Sequence, residues 1–131
     1  MAKSDYLEVN ILNHVLRSTS YTSPAAVYVA LYTVAPTDAG GGTEVTGSGY
    51  ARQAVTFGPP GTPAANQVTN TADVEFPIAG AGGWGTIIAF ALFDSSVAGN
   101  MLYHAKLTAA RTIAVGDQFK FPIGQLIVGE S

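Results

Sequence analysis

Val27-Tyr28-Val29-Ala30-Leu31-Tyr32 sets Val27, Val29 and Leu31 on one side of an extended chain and Tyr28, Ala30 and Tyr32 on the other. A period of two over six residues reads as a strand with one aliphatic and one aromatic face. A second stretch, 84–93, is almost unbroken apolar sequence, as expected of a strand covered on both faces. Between and after these two, short runs with strand character recur at hairpin spacing. Residues 50–57 read as a strand, and 58–66, with three prolines and two glycines, as a long exposed loop. Val74, Phe76 and Ile78 alternate with Glu75 and Pro77, which predicts a strand with one wet face near a sheet edge. Residues 94–100 read as the connection of a hairpin with 101–107 as its return strand. A second hairpin is predicted from 113–115, a Gly116-Asp117 turn and 118–123, and 126–128 closes the chain as a short strand.

Upstream of residue 27 the period is helical. Leu7, Ile11, Leu12, Val15 and Leu16 form an apolar stripe over residues 5–16, with Asp5 placed to cap the start and Glu8 to reach back to it. Arg17 suits the C-terminal end of the helix dipole. The sum is a mainly β chain, an antiparallel β-sandwich or jelly-roll-like domain with one N-terminal amphipathic helix at about 5–17 and about seven or eight strands from about 26 to 128. A length of 131 residues fits one domain, 1–131, with a single core.

Charged residues make up 11% of the chain and hydrophobic ones 47%, against about 25% charged in an average protein. Either part of the surface faces other protein, or the exposed faces are neutral and rich in Gly, Ala, Thr and Ser. Net charge is −3, and the six Lys and Arg are scattered singly, so the clustered positive charge that nucleic-acid binding needs is missing. No apolar run is long enough to cross a bilayer as a helix, and the N-terminus lacks the basic start and apolar block of a signal peptide. Zero cysteines exclude disulfides, thiolate nucleophiles and Cys-based metal sites.

Chemistry-bearing patterns are sparse. His14 and His104 are the only histidines, and neither has a carboxylate or second histidine at ligand-like spacing. There is no G-x-S-x-G elbow, and Asp38, Asp94 and Asp117 sit where turns favour Asp. Residues 80–85 match G-x-G-x-x-G, but a tryptophan and a β-type run follow where the dinucleotide fingerprint requires a helix. No catalytic, cofactor-binding or metal-ligating residue is therefore assigned. The aromatic residues Tyr21, Tyr28, Tyr32, Tyr50, Trp84 and Tyr103 divide between core packing, expected for Trp84, and contact with a partner.

Read together, several segments carry a resemblance. They are Val27-Tyr-Val-Ala-Leu-Tyr-Thr33 with Ala35-Pro36, Gly40-Gly-Gly-Thr-Glu-Val45, Gly49-Tyr-Ala-Arg-Gln-Ala-Val55 with Phe57, and Trp84-Gly-Thr. To these add Phe90-Ala-Leu-Phe-Asp94, Gly99-Asn100, Leu102-Tyr103, the Val115-Gly-Asp117 turn and the opening Ser4-Asp5-Tyr6-Leu7-Glu8. The chain resembles, over most of its length, a family of small bacteriophage virion structural proteins loosely labelled tail-fibre proteins and similar in size to capsid cement or decoration proteins. The resemblance implies a non-enzymatic virion role. Capsid decoration, bridging shell subunits, is the first expectation, and a tail, baseplate or fibre component is the alternative. Expected partners are phage structural proteins (the major capsid protein or tail proteins) and further copies of the chain, without nucleic acid, membrane or cofactor. The expected location is the virion, after synthesis in the host cytoplasm without a signal peptide. Tyr21, Gly41, Glu44, Tyr50, Arg52 and Pro60 are the interface candidates, drawn from the loops and the residues beside them.

Overall fold

A computed structural model of the chain describes residues 1–130. Ten strands and one helix run in the order β1 (Ala2–Lys3), α1 (Asp5–Leu16), β2 (Val27–Val34), β3 (Thr43–Glu44), β4 (Gln53–Val55), β5 (Gln67–Thr69), β6 (Val74–Glu75), β7 (Gly85–Phe93), β8 (Met101–Ile113), β9 (Lys120–Phe121) and β10 (Ile127–Gly129). The main sheet is antiparallel with order β1-β8-β7-β2-β3, and β4 pairs along β2 beside β3. Two ribbons, β5 with β10 and β6 with β9, are also antiparallel. The fold is mainly β, as the period-two segments predict.

Both faces of the central strands are covered. Val29, Leu31, Ile87, Phe90 and Leu92 share one core with Val74 and Val128 of the ribbons and with Phe76, Phe119 and Leu126 beside them, and each fully buried aliphatic or Phe side chain there contributes about 1.5–3 kcal/mol. The opposite face carries Ala30, Tyr32, Ala89, Ala91, Phe93 and Met101. Strict alternation would put Ile87 on this second face. A register irregularity between Ile87 and Ala89 shifts the alternation by one residue and returns Ile87 to the main core. Lys3 and Tyr103 both reach Glu130, the latter donating its hydroxyl hydrogen over 2.7 Å, and so tie β1 and β8 to the segment after β10.

Several expectations are corrected. The helix cap is Ser4, not Asp5: its Oγ accepts the Leu7 N–H at 3.1 Å, and the same hydroxyl donates to the Met101 carbonyl. Asp5 sits in the first turn, where its charge favours the helix dipole. The apolar stripe also splits. Leu7 is 6% exposed, whereas Leu16 is 73% exposed, and Val9, Leu12 and Val15 are exposed with it. At 100° per residue Leu16 points opposite to Leu7, so a second apolar stripe faces away from the body.

The strand expected over 50–57 shrinks to Gln53–Val55, because Tyr50 and Arg52 turn into a polar network described below. Val74 and Phe76 are buried as expected, but Ile78 is exposed and Ala79 buried, since the chain leaves the strand before Pro77. The second expected hairpin does not form. Ile113 remains in β8 opposite Gly85, and Lys120–Phe121 pairs instead with Val74–Glu75. Only the tight turn survives, with the Asp117 N–H donating to the Ala114 carbonyl at 3.0 Å.

Candidate functional site

Two neighbouring regions hold most of the polar and aromatic chemistry. In the first, β3 presents Glu44 beside Tyr32 of β2, and the segment before β4 supplies Tyr50 and Arg52. Arg52 grips Glu44 with two bonds of 2.9 Å, from Nε to Oε2 and from Nη2 to Oε1. Its Nη1 donates to the Ser95 and Ala98 carbonyls at 3.0 and 2.7 Å, and its guanidinium lies 3.8 Å from the centre of the Phe93 ring. Tyr50 donates to Glu44 Oε2 at 2.7 Å and accepts the Leu31 N–H at 3.0 Å. Beneath it Trp84 meets Tyr50 edge-on at 5.4 Å and donates from Nε1 to the Ser48 carbonyl at 2.9 Å. Glycine is required at position 47, where a Cβ would stand 2.5 Å from Trp84 Cδ1.

The electrostatics follow from this packing. Burial pushes the Glu44 carboxyl up, but the bonds from Arg52 and Tyr50 outweigh it and hold the group below the usual carboxylate range. Burial works against the Arg52 cation and Glu44 overcomes it, so Arg52 holds its proton more tightly than in water. Burial, then the Glu44 carboxylate, push Tyr50 far above the ordinary phenol range. This is a closed network whose donors and acceptors are met inside the chain.

The second region is a cleft of about 420 Å³. It opens between the start of α1, the loop 35–42 and the loop 94–100, over the second face of the main sheet. Tyr32, Phe93 and Met101 form its floor, and Asp5, Tyr6, Asp38, Gly41 and Asn100 stand around it. The Asp5 N–H donates to the Asp38 carbonyl at 2.8 Å, which fixes the loop against the helix start. Gly41 has φ +76°, a conformation glycine adopts without strain. Asp5, Glu8 and Asp38 bring carboxylate oxygens within 4.8 Å of one another. All three are exposed, and His104 meets Asp38 without completing a tighter cluster with the other two, so the group is read as surface charge. His104 Nε2 lies 2.7 Å from Asp38 Oδ1, while His14 Nδ1 accepts the Tyr21 N–H at 3.3 Å.

The six interface candidates therefore fall into separate places. Glu44, Tyr50 and Arg52 are joined in the closed network. Gly41 lines the cleft, and Tyr21 stands beside it, its ring 6.4 Å from that of Tyr6 in an edge-to-face contact. Pro60 is exposed in the proline-rich loop, apart from both. Sequence reasoning missed the cleft itself, because Tyr6, Asp38 and the pair Phe93 and Asn100 come from three distant segments and share no spacing.

None of the curated proteins matches the chain significantly. A family model described as "Podophage GP4 fiber I protein gp80" matches residues 2–129. With that match running through the helix, both ribbons and the main sheet, the chain belongs to this family of small phage virion structural proteins.

Proposed function

We propose that the chain is a non-enzymatic fibre component of a podophage virion, acting as one folded unit over 1–131 and assembling with other virion proteins and with copies of itself. The observation that carries this reading is the extent of the family match, which covers residues 2–129. The geometry supports it. The exposed stripe of α1 and the loops around the cleft give one end of the molecule the uncommitted surface that an assembly protein needs.

Decoration of the capsid shell is the competing placement. It draws on the small size and low charge and has no observation of its own in the fold. Gold-labelled antibodies raised against the chain and applied to intact virions separate the two. Label on fibres is expected. Label spread over the head moves the assignment to decoration, and absence of the chain from purified particles by mass spectrometry contradicts both.

A further inference from the structure

We propose that the acidic cleft is a docking site for a lysine or arginine side chain on a partner protein. Its volume, about 420 Å³, accommodates one long side chain with room for water. The floor supplies an unused polar atom: Tyr32 is 5% exposed, yet its hydroxyl makes no hydrogen bond within the chain among the described residues. Among the described residues no buried side-chain nitrogen or oxygen is sealed off without a partner, so that hydroxyl is reached from solvent, and Tyr32 is one of the residues that line the cleft. An N–H donor entering the cleft would meet an acceptor that the fold leaves free.

Charge selects the ligand. Asp5 and Asp38 stand at the rim; Asp38 pairs with His104, and the nearby Lys3 is engaged by Glu130. The Arg52 cation behind Phe93 is matched by Glu44, so the surplus at the opening is negative. Aromatic faces attract a cation, and the Phe93 ring already carries one guanidinium at 3.8 Å. The aliphatic stem of Lys or Arg suits Tyr6 beside the carboxylates. An anionic ligand would be repelled by the rim. A divalent metal would find no ligand among the aromatic rings of the floor. One such contact is weak alone, and repeated copies in an assembly would multiply it. The inference concerns the chemistry of the contact and holds for a fibre or a capsid partner alike.

The test is a titration of the full-length, ¹⁵N-labelled chain, followed by NMR, with the capped tripeptide Gly-Lys-Gly and with the same peptide acetylated on the lysine. Saturable shifts of the Tyr6, Gly40 and Asn100 amides with the free lysine, and at least about tenfold weaker binding of the acetylated peptide, are expected. Asp5→Asn, an exposed change that leaves the fold intact, should weaken binding several-fold. Tyr32→Phe, its fold checked by the unchanged spectrum elsewhere, should do the same. Equal response to both peptides, or shifts confined to other parts of the molecule, overturns the proposal. So does the same set of shifts produced by calcium chloride with none from the peptide, which would make the carboxylates a cation site instead.

Discussion

The closed network and the cleft are built from the same materials, aromatic rings, carboxylates and hydroxyls, and they differ in what is left over. Around Arg52 the carboxylate, the phenol and the guanidinium satisfy one another and two backbone carbonyls. Around Tyr32 and Asp5 a hydroxyl and acidic groups face an opening, and nearby α1 turns Leu12 and Leu16 to solvent. Polar groups paired inside the chain make a rigid frame, because removing one strands its partner. Exposed groups at a rim add little to folding and are accessible for contact. The first region accounts for stability, and the second is the surface we propose for assembly.

The largest effect should come from beneath the network. Trp84 is 4% exposed and packs against Tyr50 and Phe76, so Trp84→Ala should cost about 3–5 kcal/mol in urea unfolding. A loss near zero would remove the frame from this side of the molecule. Next, Arg52→Met strands the Glu44 carboxylate with Tyr50 alone. The Arg52 side chain is 8% exposed and Glu44 more so, so about 2 kcal/mol is expected, below the figure for a fully buried pair. An unchanged midpoint would mean that the pair is solvated.

Acid and alkali sharpen the contrast further. The folded state depresses Glu44, so its contribution is complete above the unfolded carboxylate range near about pH 4 and disappears as pH falls through the lower folded value. The folded state raises Tyr50, so that contribution is complete below about pH 10 and is lost as pH climbs toward the raised folded value. Unfolding free energy measured against pH should therefore fall at both ends. Glu44→Gln should flatten the acid limb, and an acid limb of undiminished slope in that variant would assign it to other carboxylates. Smallest of all, the double change Leu12→Ser, Leu16→Ser should alter the stability of the isolated chain by less than about 0.5 kcal/mol, since both residues already face water. A clear loss would show that this stripe is packed within the chain.

What the sequence reveals follows the same division. The strands β2 and β7 are legible because burial on one or both faces writes itself as period two or as an unbroken apolar run. The helix is legible too, but its stripe is misread: periodicity counts apolar residues and cannot say which side is covered, so Leu7 and Leu16 look alike until the sheet is in place. The Ser4 cap is hidden because Asp5 beside it is an equally good capping type. Gln67–Thr69 gives no alternation strong enough to stand out, and its partner β10 lies almost sixty residues on. Tyr50 and Arg52 read as exposed interface candidates because an Arg, a Tyr and a Glu near a glycine-rich loop show their types and not their pairing. The cleft is invisible for the same reason, since its charge and its rings converge only through tertiary structure: Asp38 and His104 are 66 residues apart.

The most direct test of the division is a cryo-electron microscopy map of the intact virion at a resolution that places this chain. The account predicts that the end bearing α1, loop 35–42 and loop 94–100 is buried against neighbouring subunits, with density entering the cleft beside Tyr32. A map in which that end faces solvent, while the subunit contacts its neighbours through other surfaces, would contradict it.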